Sequence, residues 1–140
     1  MNSTRKPNAM LIELVIVILF FALSASIILQ LFVAASNRSV QSATDSSALI
    51  YAEDFIEQFS VSTLDADAFL REGGFESVTE GEYARELEAA NGRPIRMVAS
   101  GDKEIAATGE LDDLSLQVYD GGRVIVHRPV NRAIPTEVTP

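Results

Sequence analysis

Apolar positions are spread very unevenly along the chain. Residues 1–8 (MNSTRKPN) are polar, and from Ala9 to Ala35 the sequence AMLIELVIVILFFALSASIILQLFVAA is almost wholly apolar. Within that run Glu13 is the one charge, with Ser24, Ser26 and Gln30 as the other polar breaks, and neither Pro nor Gly interrupts it. A hydrocarbon core about 30 Å thick is crossed by about 20 helical residues, so the stretch is long enough to span a bilayer. Arg5 and Lys6 precede it, which favours a cytoplasmic N-terminus and export of everything beyond.

Beyond Ala35 the pattern becomes amphipathic. Val40, Ala43, Ile50, Tyr51, Phe55 and Phe59, filled in by Ala48 and Ile56, predict a helical continuation over 36–59. An unbroken helix from Ala9 to Phe59 would measure about 77 Å at 1.5 Å per residue. Serines at 36, 39, 42, 46 and 47 are weak helix formers, so a separate stalk helix that yields in this patch is the alternative. Further on, Asp65–Leu70 predicts a short helix closed by Gly73-Gly74. Glu80–Ala90 places Tyr83, Leu87 and Ala90 on one face of a second short helix or a turn, stopped by Asn91-Gly92 and Pro94.

From Ile95 the period is that of strands. Arg96–Ala99 and Glu104–Thr108 are short candidates, and Leu114–Tyr119 alternates with Leu114, Leu116 and Val118 on one face. Asp120-Gly121-Gly122 turns the chain and Arg123–Arg128 returns it, which predicts a hairpin over 114–128. Pro129 and Pro135 mark the end of pairing and the start of a loose tail. The expected fold class is α+β: a long N-terminal helix whose amphipathic half packs on a small antiparallel sheet of three or four strands. The chain then divides into a basic leader (1–8), a membrane helix (9–35), its amphipathic continuation (36–59) and an extracytoplasmic globular part (60–140).

Composition narrows the function. The 140 residues include no cysteine, which excludes a disulfide scaffold and thiolate chemistry, and a single histidine, His127. A net charge of −9 argues against a broad nucleic-acid face, and residues 36–140 hold most of the acidic side chains. His127 lies in a predicted strand with no evident partner for proton transfer. Asp112, Asp113 and Asp120 do not have the spacing of a calcium loop, the glycine pairs lack the context of a phosphate loop, and the serines lack a nucleophile elbow. No catalytic, cofactor or metal-binding residue is expected, and the chain does not read as an enzyme.

Glu13 carries the most information. An ionised carboxylate in an apolar helix costs about 2.5–3.5 kcal/mol at mid-bilayer on translocon scales and less near the edge. The string from Lys6 to Ile18 (KPNAMLIELVIVI) resembles the leader and helix start of type IV pilins and type II secretion pseudopilins. That family has a basic leader ending in glycine, then an aromatic or small residue, a threonine, and Leu-Ile-Glu followed by an aliphatic run. Leu11-Ile12-Glu13 matches the Leu-Ile-Glu core, Asn8 stands where the glycine falls, Ala9 is the first mature residue, and Met10 stands where the threonine falls. A cut after Ala9 instead would leave Glu13 fourth rather than fifth.

The resemblance covers about residues 5–60. It implies a structural subunit, a minor component held in the membrane before assembly into a pilus or secretion-type filament, with a methylated N-terminus. Cleavage would fall in the region of Asn8, Ala9 and Met10. Glu13 would neutralise the terminal amine of a neighbouring subunit, and Leu14, Ile18, Phe21 and Ile28 would pack against like subunits. The implied partners are those subunits, a prepilin peptidase, an assembly ATPase acting through a membrane platform, and the lipid bilayer. Two alternatives stand beside it. One is a single-pass anchored binding domain that forms no filament. The other is a secretory signal cleaved after Ala35, with Val33 and Ala35 forming the small-residue site and the mature chain starting at Ser36.

Overall fold

One helix, α1, runs from Arg5 to Val61. It is followed by α2 (Ala66–Glu72) and five strands: β1 (Glu76–Thr79), β2 (Glu82–Glu88), β3 (Pro94–Ala106), β4 (Gly109–Asp120) and β5 (Arg123–Ala133). The structure, a computed structural model, describes the backbone of residues 5–106 and 109–133 and the side chains of residues 8–101 and 113–132. The chain forms two compact units, residues 1–40 and 41–140, and α1 contributes to both.

The helix begins four residues before Ala9 because Pro7 falls within its first turn, where the missing N–H has no intrahelical acceptor to lose. It does not yield in the serine-rich patch either. Within residues 41–140, Thr44, Ser47, Ala48, Ala52, Phe55 and Phe59 are buried, each three or four positions from another member, and form one stripe. Two members of the expected stripe are corrected here: Val40 and Ile50 are exposed, Ile50 at 58%. The short polar residues replace them for a reason that hydropathy does not report. The Ser47 hydroxyl donates to the Ala43 carbonyl at 2.9 Å and accepts the Ala90 N–H at 2.9 Å. Asn91 Nδ2 donates to Thr44 Oγ1 at 2.9 Å, and the Tyr51 hydroxyl donates to the Glu88 carbonyl at 2.9 Å. These bonds dock the β2–β3 turn on the helix, and small side chains at Ala48 and Ala52 let the sheet approach.

The sheet is an antiparallel meander in the order β1-β2-β3-β4-β5. It has five strands where three or four were expected. β1 has no signal in the apolar pattern, since all four of its residues are exposed. The expected second helix or turn over 80–90 is instead strand β2, paired with β3 from Glu82↔Ser100 to Glu88↔Pro94. Tyr83 and Leu87 are four apart, a spacing that both a helix and a strand accept. Gly81, at φ +80°, makes the turn that commits the segment to the sheet. The two short candidates at 96–99 and 104–108 merge into β3, although residues 107 and 108 lie outside the described residues.

The 114–128 hairpin is present, with Gly121 at φ +60° in its turn. Pairing continues past Pro129, which lies opposite Ser115, as far as Ala133. Pro129 does not end the strand because β5 is the sheet edge, where a residue without an N–H can face outward. Pro135 and the expected loose tail lie outside the described residues. Leu114, Leu116 and Val118 are all buried, as their alternation predicts. A bulge opposite Val118 and Tyr119 shifts the register between Val126 and Val124.

The core lies between the sheet and the second half of α1. Ile95, Met97, Leu116 and Val118 meet Ala48, Ala52, Phe55 and Phe59, with Leu70 and Phe75 closing one end. Phe55 stacks on Phe59 at 6.2 Å and meets Phe69 and Phe75 edge-on at 5.5 Å, while Phe59 and Phe69 are 5.3 Å apart. α1 has no basic residue in its own last turn. Arg132 of β5 supplies one: its guanidinium lies 4.2 Å from the Phe59 ring centre and donates to the carbonyls of Phe59 (3.1 Å), Ser62 (2.6 Å) and Leu64 (2.5 Å). One carbonyl of the last helical turn, Phe59, and two just beyond the helix, Ser62 and Leu64, are thus met from across the fold.

Candidate functional site

The candidate site is the first half of α1. From Met10 to Val33 its large apolar side chains are exposed, Met10 at 76% and Phe32 at 71%, and none enters the core described above. This is one helix long and apolar enough to cross a membrane. Residues 14–37 carry no charge and extend about 36 Å at 1.5 Å per residue, slightly more than a hydrocarbon core.

Asn8, Ala9 and Met10 all lie inside the helix and are exposed. Glu13 is exposed one turn further on, among neutral neighbours three and four positions away (Ala9, Met10, Ile16 and Val17). At about 100° per residue, Leu14, Phe21 and Ile28 fall within about 40° of one another, and Ile18 lies about 40–80° beyond them. Those four apolar residues share one side of the helix. Glu13 is turned about 60–140° away from them, so the carboxylate and the expected packing residues occupy adjacent faces rather than one. The Glu13 face itself carries Val17, Phe20, Ser24 and Leu31.

One residue escaped the sequence reading. Arg38 is the sole cation of α1 between Asn8 and Val61, where Glu13, Asp45, Glu53, Asp54 and Glu57 are acidic. Charge counted over the whole chain hides it; charge counted along the helix alone would have found it. Asp45 already has a partner, Arg123, at 2.6 Å. That hydrogen bond is the main influence raising the Arg123 pKa. Slight burial opposes it, and the charges of Asp45 and Asp120 add to it.

The remaining chemistry-bearing residues lie on the sheet. Ser115 Oγ and His127 Nε2 are 3.1 Å apart across β4 and β5, with His127 exposed. Asp120 is engaged by Arg93 at 3.4 Å and Arg123 at 3.6 Å. Asp113 stands opposite Asn131 in the β4–β5 register, and the Asp112 side chain lies outside the described residues. Comparison with protein-family models, curated proteins and solved structures found no match to this chain.

Proposed function

We propose that this chain is a pilin-like or pseudopilin structural subunit, anchored in the membrane by α1 and assembled with like copies into a filament as a minor component. One observation supports the reading above all others. A single helix carries an exposed apolar surface with one carboxylate in its first half and forms part of an α+β core in its second. A helix apolar on every side is stable only where lipid or other helices cover it. A carboxylate placed in that surface is costly until a cation meets it, and this penalises every wrong register between neighbours. In this reading the N-terminus is cytoplasmic, the sheet is extracytoplasmic, and a leader peptidase and an assembly platform act on the precursor.

Two measurements on protein recovered from its native membrane test this. N-terminal sequencing with intact mass is expected to show a start at Ala9 or Met10 with a methylated amine. Glu13→Ala is expected to abolish assembly while leaving membrane insertion unchanged. The second reading, an anchored domain that forms no filament, draws on Asn8 standing at the glycine position and on the helix beginning upstream of the junction, at Arg5. An intact Met1 together with a monomeric protein would establish it. A start at Ser36 would overturn both readings in favour of an exported domain.

A further inference from the structure

We infer that the cleft between α1, α2 and β2 binds a free α-amino acid with an apolar side chain, its ammonium held by Asp54 and its carboxylate by Arg85. The inference goes beyond the assembly reading and does not depend on it. The cleft belongs wholly to the second unit, residues 41–140, and has a volume of about 140 Å³. Its floor is apolar: Phe55, Phe75 and Met97 are buried there, with the half-buried Phe69 beside them. An apolar cavity of about 150 Å³ lined by such side chains holds one benzene ring. The space therefore matches the side chain of phenylalanine, leucine or methionine.

Two charged residues line the cleft, and they carry opposite signs on different elements. Asp54 lies on α1, next to Phe55. Arg85 lies on β2, opposite Met97 in the β2–β3 register, with its Nε 3.8 Å from where a Cβ on Gly74 would stand. Among the described residues neither side chain makes an ion pair or a hydrogen bond, with the other or with any third group. Asp45 and Asp120 of the same unit, by contrast, are both met by arginine. Opposite charges left unpaired over an apolar floor suit a ligand that carries both signs close to an apolar group. An α-amino acid carries all three on one carbon. An apolar acid would leave Asp54 unmet, and an apolar amine would leave Arg85 unmet. The guanidinium fork also matches a carboxylate in a bidentate manner, and hydrogen bonds between charged groups are the strong ones.

The test titrates the isotope-labelled full chain in lipid nanodiscs with L-phenylalanine and follows its amide resonances by NMR. Saturable shifts around residues 51–58, 69–75 and 85–97 are expected. 3-Phenylpropanoate lacks the ammonium and 2-phenylethylamine lacks the carboxylate. Each should bind at least about tenfold more weakly, because each forfeits a hydrogen bond between charged groups. Glycine, with no side chain to fill the floor, should give no saturable shift. Asp54→Asn should weaken L-phenylalanine about tenfold and leave 3-phenylpropanoate unchanged. Arg85→Gln should weaken L-phenylalanine about tenfold and leave 2-phenylethylamine unchanged. A variant that only loosened the fold would lose all three ligands alike, and the comparison on the wild-type chain needs no variant to fold.

No saturable shift with L-phenylalanine, shifts that map elsewhere, or analogues that bind as tightly as the amino acid would overturn the inference. The two readings fail separately. A chain that assembles and binds no amino acid overturns this one alone, and a chain that binds but never assembles overturns only the proposed function.

Discussion

Replacing Phe59 by alanine should nearly dissolve the contact between α1 and the sheet. The side chain is 0% exposed, stacks on Phe55 at 6.2 Å, meets Phe69 at 5.3 Å and carries the Arg132 guanidinium at 4.2 Å. Phe→Ala in a packed core costs about 3–5 kcal/mol, against a typical total stability of about 5–15 kcal/mol. With each kcal/mol worth about 4–8 °C in a unit of this size, the midpoint should fall by about 12–40 °C. The assay is thermal unfolding of the full chain in detergent micelles, followed by near-ultraviolet circular dichroism. The three tyrosines, Tyr51, Tyr83 and Tyr119, all lie in residues 41–140 and there is no tryptophan, so the tyrosine band reports that unit, whereas the phenylalanine bands also carry Phe20, Phe21 and Phe32 of the apolar helix and are left aside. Ile50→Ala is the matched control. Its side chain is 58% exposed, and its loss should change stability by no more than about 0.5 kcal/mol. Equal losses for the two variants, or a loss below about 1 kcal/mol for Phe59→Ala, would refute the assignment of the buried helix face.

Three further substitutions probe how the helix is held. Arg132→Met removes a charged donor from the carbonyls of Phe59, Ser62 and Leu64, and should cost about 2 kcal/mol with faster hydrogen exchange around residues 60–65. Ser47→Ala leaves the Ala90 N–H without its acceptor and should cost about 1 kcal/mol, read as a lower urea midpoint at unchanged slope. Gly101→Ala would bring a Cβ to 2.6 Å from Leu114 Cδ2 across the β3–β4 pair. It should destabilise by about 1–3 kcal/mol, with a smaller penalty in a Leu114→Ala background, where the clashing atom is gone.

How far the sequence carried can be judged from particular residues. Ala9–Ala35 announces its helix because lipid or a neighbouring helix is the only environment that accepts so many apolar residues in a row, whatever the rest of the chain does. Leu114, Leu116 and Val118 announce a strand by alternating beside a turn with glycines, a signal complete within a dozen residues. The α+β class and the length of α1 follow from these local facts. The site was only partly legible: Glu13 stands out in its apolar setting, whereas Arg38 stands out only when charge is counted along the helix alone.

What tertiary structure alone decided was non-local. Thr44 and Ser47 are buried because their hydroxyls meet Asn91 and Ala90, which are more than forty residues away in the chain. Their hydropathy ranks them behind Val40 and Ile50, which are exposed. Glu82–Glu88 is a strand because β3 pairs along its whole length, although its own spacing suits a helix equally. Pro129 continues a strand only because β5 is the edge strand among the described residues. Local patterns record what each segment must hide from water. Which polar group finds a partner, and which strand lies at an edge, depends on the segments that arrive beside it.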